Sequence, residues 1–178
     1  MRKKFFISFI VLLGTSFEMS FAQTNLKLGY FDLNYVLPLL PAYKQAETEL
    51  GTFNKQLKTE EENKTNEFKQ KVQAFQQAQN TMNEAIKEIK IKELQALEKQ
   101  LYEFQAMAQQ KSEEKYQQLM APILEKIEKA LQEVAKENNY TYIFDKKSLL
   151  FEIPEGNISD LVLKKMGVTP PPASSDKK

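Results

Sequence analysis

Apolar residues recur at steps of three and four through the middle of the chain. Leu50, Phe53 and Leu57 begin the pattern, Phe68, Val72 and Phe75 continue it, and Leu94, Leu97, Leu101, Phe104 and Ala108 carry it furthest. The stripe is narrow and has the a/d spacing of a coiled coil, which predicts helices that bury one seam against a partner. Lys58–Glu67 and Gln109–Lys115 contain no apolar residue, and a five-residue step from Ile89 to Leu94 slips the register. No glycine occurs from Thr52 to Glu155, and Pro122 and Pro154 are the only prolines there. Glu, Lys and Gln fill the remaining positions, a long-helix composition.

A single helix over Tyr43–Asn138 would extend ~144 Å and leave its stripe without a partner. A hairpin supplies that partner from the same chain. The turn is predicted at Asn80-Thr81-Met82-Asn83, where Thr81 and Glu84 have the spacing of a capping box. The antiparallel arms are then Tyr43–Ala78 and Met82–Met120, each ~55 Å long. Pro122 marks a kink or the start of a new segment. Beyond it Met120, Ile123, Leu124, Ile127, Leu131 and Val134 form a broader stripe, suited to a globular core.

The rest of that core comes from the two ends of the chain. Leu26–Leu33, Tyr140–Asp145 and Leu149–Ile153 read as short strands, with Asp145-Lys146-Lys147-Ser148 as a hairpin loop between the last two. Asn157 or Ser159 then caps a short helix carrying Leu161, Val162 and Met166, which Gly167 ends. Asp32 and Asp145, at strand ends, read as capping or turn residues. Thr169–Lys178, TPPPASSDKK, reads as a disordered Pro-rich tail. The body, residues 23–42 and 121–168, holds only 68 residues outside the arm at 43–120. That is near the lower limit for an independent core, and an obligate oligomer is expected.

The first 22 residues carry a different message. Arg2, Lys3 and Lys4 precede the nine-residue apolar run Phe5–Leu13 and the small-x-small site Ser20-Phe21-Ala22. A bilayer span needs about 20 apolar residues, so this run reads as a signal peptide, cut after Ala22, and the product is expected to be exported. The 156 residues that follow have 22 basic and 23 acidic side chains. They contain no histidine, cysteine, tryptophan or arginine. Nucleophile–base pairs of the Ser-His or Cys-His type, Cys/His zinc sites and structural disulfides are thereby excluded. With neither a basic footprint nor arginine forks, nucleic acid is not an expected partner. No cofactor is implied, and an enzyme is not expected.

Lys27–Leu33 with Val36-Leu37, Ala121–Ile127, and Tyr140–Asp145 with Leu149-Leu150-Phe151 and Asn157–Lys165, in that order and spacing, resemble the Skp/OmpH family of periplasmic chaperones for outer-membrane proteins. Lys27-Leu28-Gly29-Tyr30-Phe31-Asp32-Leu33, followed by Val36-Leu37 and a long Glu/Lys/Gln helix, is similar to that family's start. Ala121-Pro122-Ile123-Leu124-Glu125-Lys126-Ile127 is similar to its entry into the body helix, and Tyr140–Asp145, Leu149-Leu150-Phe151 and Asn157–Lys165 to its closing strands and helix. The resemblance implies a mostly α chain with a small β body, in which three copies assemble a β-barrel and suspend three helical hairpins around a cavity. It implies an ATP-independent holdase for unfolded outer-membrane β-barrel proteins. The family's basic arms are not matched, because Tyr43–Asn138 carries 15 lysines and 17 glutamates.

On that footing Leu28, Tyr30, Phe31, Tyr142, Phe144 and Leu150 are the candidates for the oligomer body. Phe53, Phe68, Phe75, Tyr102 and Phe104 are the candidates for client contact, set against the simpler role of seam packing. Tyr102 lies off the seam and is the foremost of them. Lys146 and Lys147 are read as solvated, with weak contact to a membrane surface as the alternative. A competing reading of the whole chain is an exported coiled-coil spacer or adaptor that binds a folded envelope partner.

Overall fold

The computed structural model describes residues 26–172. The expected signal peptide and the last six residues of the expected tail lie outside the described residues. In chain order the elements are strand β1 (Leu28–Phe31), one-turn helix α1 (Leu33–Val36), helix α2 (Pro41–Ala78), helix α3 (Glu84–Glu137), strand β2 (Tyr142–Asp145) and helix α4 (Ser159–Lys165). Short 3-10 turns cover Leu37–Leu39, Lys146–Ser148 and Pro154–Gly156.

α2 begins where Leu40 is extended and Pro41 takes the first helical position, which needs no backbone donor. The start of α3 differs from the predicted capping box. The Thr81 hydroxyl donates back to the Ala78 carbonyl at 2.9 Å and closes off α2. Asn83 is the cap instead: its side chain accepts from Ile86 N at 2.9 Å, with Glu84 in the first turn. α2 and α3 pack against each other as an antiparallel hairpin.

Pro122 neither stops α3 nor starts a new segment; the helix runs through it for 54 residues, ~80 Å. The proline removes one hydrogen bond, to the Gln118 carbonyl. Buried Met120, Ile123 and Ile127 on either side hold the helix to the body across that gap. Leu124, expected in the stripe, is exposed, and Ala130 is buried in the core. α3 ends at Asn139, whose φ of 58° is the left-handed conformation that asparagine tolerates. Lys27 Nζ caps this end, 2.8 Å from the Asn138 carbonyl and 4.3 Å over the Tyr140 ring.

The sheet corrects the predicted hairpin. β1 and β2 run parallel, with Leu28 opposite Tyr142 and Phe31 opposite Asp145, and the whole α-helical hairpin forms the crossover between them. Leu149–Ile153 is not a strand: no described segment pairs with it. The Asp145 carboxylate accepts from Lys147 N at 3.0 Å, which winds the chain into a 3-10 turn rather than a hairpin loop. The chain then crosses the strand ends, and Asn157 makes an isolated parallel bridge with Tyr30 on the far side of β1. Among the described residues the sheet has two strands, in the order β1–β2.

The core joins these ends. Phe31, Val36, Leu40, Met120, Ile123, Ile127, Val134, Ile158, Val162 and Leu163 form one buried cluster. Gly29 permits a close approach, since a Cβ there would lie 3.0 Å from the Tyr140 ring and 3.1 Å from Ile158. Asp32 Oδ1 accepts from Tyr35 N at 3.1 Å, the cap expected of it. No helix among the described residues is long and apolar enough to cross a membrane.

Candidate functional site

The hairpin arms expose two kinds of surface, the seam between them and the faces turned away from it. Phe53, Leu57, Phe68, Val72 and Phe75 of α2 are half-buried in the seam, as are Leu94, Leu97, Leu101 and Ala108 of α3. Phe104 is buried, with Lys64 Nζ 5.4 Å from its ring centroid. Four of the five aromatic candidates for client contact, Phe53, Phe68, Phe75 and Phe104, are therefore seam residues. Tyr102 is 66% exposed, as its off-seam position predicts.

The two polar stretches do not face each other. Gln105 Nε2 donates to Glu61 Oε1 at 2.7 Å and Ser112 Oγ to Asn54 Oδ1 at 2.7 Å, while Lys115 pairs with Glu49. The polar part of each arm thus lies along an apolar part of the other. Surface i,i+4 pairs such as Lys58–Glu62 and Lys129–Glu125 line the outer faces, each of small energetic weight.

Ile86, Ile89, Ile91, Met107 and Tyr116 of α3 are exposed beside Tyr102. The sequence reading did not name these as candidates for client contact, although the register slip from Ile89 to Leu94, within which Ile91 lies, was visible. Two apolar notches open between the arms. One of about 250 Å³ near the turn is lined by Ala74, Phe75, Ala78, Met82 and Leu94, with Lys71, Lys90 and Glu93 at its rim. Another of about 170 Å³ at the root lies between Tyr43, Leu50, Tyr116 and Leu119.

The body exposes a second apolar surface. Leu28, Tyr142, Phe144 and Leu150 face solvent, and so do Phe151 and Ile153, which the sequence reading did not name as candidates. Tyr30 and Phe31 are buried within the chain's own core. Burial, with the nearby Glu152 carboxylate, raises the Tyr30 pKa. Lys146, read as solvated, is paired with Glu152 at 2.9 Å and Asp32 at 3.4 Å; hydrogen bonding to Glu152 raises its pKa. Among the described residues no group of three or more acidic side chains is placed to hold a metal ion.

Comparison with known proteins returns one family and one fold. The model of the family described as outer membrane protein (OmpH-like) matches residues 27–166. The crystal structure of a candidate outer membrane chaperone (OmpH-like) from Caulobacter crescentus has the same fold, with a TM-score of 0.70 at 15% identity over 86% of this chain and 92% of that one. A comparison with curated proteins returned no significant match.

Proposed function

The chain belongs to the OmpH-like family, and from that premise we propose that it is an ATP-independent holdase chaperone of the periplasm. Its clients are unfolded outer-membrane β-barrel proteins, held between the helical arms of a homotrimer. Family membership and the fold support a chaperone-type function. The signal peptide is removed after Ala22, the arm spans residues 43–120, and residues 23–42 with 121–168 make up a β-barrel body shared by three chains.

One observation carries the reading. The seam takes up four of the five aromatic candidates, yet the arms still hold large apolar side chains in solvent, Tyr102 at 66% exposure and Ile86, Ile89 and Ile91 towards the turn. Full burial of one such side chain is worth about 1.5–3 kcal/mol, before the cost of ordering the client. Several dispersed contacts of that size hold an extended apolar chain and still release it without an energy source. The near balance of lysine and glutamate along the arms makes this contact apolar rather than electrostatic.

The test is light scattering of a urea-unfolded outer-membrane β-barrel on dilution, with and without the protein. Suppression saturating near three protomers per client is the expected result. No suppression at large excess would overturn the holdase and favour a structural adaptor that binds a folded partner.

A further inference from the structure

Leu149–Ile153 is held in place with Leu150, Phe151 and Ile153 in solvent and only Leu149 and Glu152 half-buried. Leu150 is fully exposed and Phe151 is 83% exposed. Among the described residues the backbones of Leu150, Phe151 and Glu152 make no backbone hydrogen bond. The backbone is extended at both ends, with φ, ψ of −95°, 131° at Leu149 and −109°, 140° at Ile153. β2 has β1 as its one partner, so its other edge is open as well. A free extended segment and a free strand edge lie a three-residue turn apart, and an antiparallel hairpin would join them within the chain.

The ion cluster at Lys146 explains why they stay apart. Lys146, in the turn after β2, reaches Glu152 at 2.9 Å and Asp32 at 3.4 Å. Asp32 follows β1 and caps α1, so it is fixed to the opposite side of the sheet from the open edge. The pairing draws the segment across the strand ends towards β1, where Asn157 bridges Tyr30 and Ile158 N donates to the Tyr30 carbonyl at 2.9 Å. Gly156 lets the chain pass flat over the Tyr30 ring, 3.2 Å from where a Cβ would stand.

We propose that Lys146 is a positioning residue for self-assembly: by binding Glu152 and Asp32 it denies Leu149–Ile153 to the chain's own β2 edge and presents it to a second copy. This rests on the proposed self-assembly. The occupant is another copy of this chain because each copy carries both halves of the contact, an open edge and an unpaired strand-like segment. Such a contact is head-to-tail, the kind that builds a ring where its rotation closes. Holding the segment extended beforehand removes most of its ordering cost on docking. Without Lys146 two carboxylates face each other, the segment swings free, and an intrachain hairpin consumes both surfaces.

The experiment is sedimentation velocity of the purified protein over a concentration series at low and high salt, with helix content followed by circular dichroism. Wild type is expected to assemble. Lys146→Met is expected to weaken association at least tenfold and abolish its salt dependence, Glu152→Gln to weaken it less, and Lys146→Arg to restore it. Glu152→Gln leaves the Lys146–Asp32 pair intact and decides the matter if Lys146→Met loses helix content. Wild-type association in both variants would overturn the role of Lys146 and leave assembly standing. A folded wild-type monomer at every concentration would overturn the assembly itself.

Discussion

The backbone N–H of Asp32 donates to the Ser159 hydroxyl at 2.9 Å, across 127 positions of sequence. Ser159 is fully buried, and its own N–H donates to Asn157 Oδ1 at 2.9 Å. This bond ties the end of β1 to the start of α4, so the body closes only when both ends of the chain are present.

Ser159→Ala leaves the part-buried Asp32 N–H without its acceptor, at a cost of about 1–3 kcal/mol. Urea unfolding followed by circular dichroism measures it. A change under about 0.3 kcal/mol would mean that water replaces the hydroxyl freely.

Two glycines answer to alanine with opposite signs. Gly29→Ala puts a methyl 3.0 Å from the Tyr140 ring and is expected to destabilise by about 1–3 kcal/mol. Gly51 lies inside α2 with nothing within 4 Å of a new Cβ. Gly51→Ala is expected to stabilise by about 0.5–1 kcal/mol through helix propensity alone. Thermal midpoints of the two variants moving in the same direction would contradict this packing.

Phe104 and Tyr102 are two positions apart and separate stability from client contact. Phe104→Ala empties a buried seam position and is expected to cost about 3 kcal/mol. Tyr102→Ala is expected to stay within about 0.5 kcal/mol of wild type while reducing suppression of client aggregation. Unfolding and light-scattering assays on both variants check the pair, and equal loss of holding in both would show that the seam, not the surface, governs it.

Alkaline pH is expected to loosen the body. Burial raises the pKa of Tyr30 and of Tyr35, where the hydrogen bond to Asp160 adds to it; at Tyr43 the bond to Glu47 leads. Each phenol keeps its proton longer folded than unfolded, so above about pH 10 the unfolded chain binds fewer protons and stability falls as pH rises. That contribution is complete below the unfolded pKa and is lost through the folded one. Thermal unfolding between pH 8 and 11 beside tyrosinate absorbance tests it; a midpoint unchanged while the phenols ionise would contradict it.

The hairpin was legible from the residues because its signal is local. A helix repeats every 3.6 residues, so spacing, missing glycine and an Asn- and Thr-rich interruption announce two helices and a turn. Tyr102 was legible for the same reason, as a large side chain out of phase with the stripe. The family resemblance at Lys27–Leu33 and Ala121–Ile127 likewise needed only the order of residues, and the family match over 27–166 agrees with it. Tertiary structure alone decided the rest. Leu149–Ile153 has the composition of a strand, but a strand exists only where an edge accepts it, and Lys146 holds this one away from the edge nearest to it. Pro122 has the chemistry of a helix breaker, yet burial of Met120, Ile123 and Ile127 outweighs one lost hydrogen bond. Tyr30 and Phe31, read as candidates for the oligomer body, are buried within the chain itself: Gly156 passes over the Tyr30 ring, and Phe31 joins the cluster to which the far end of the chain contributes Ile158, Val162 and Leu163.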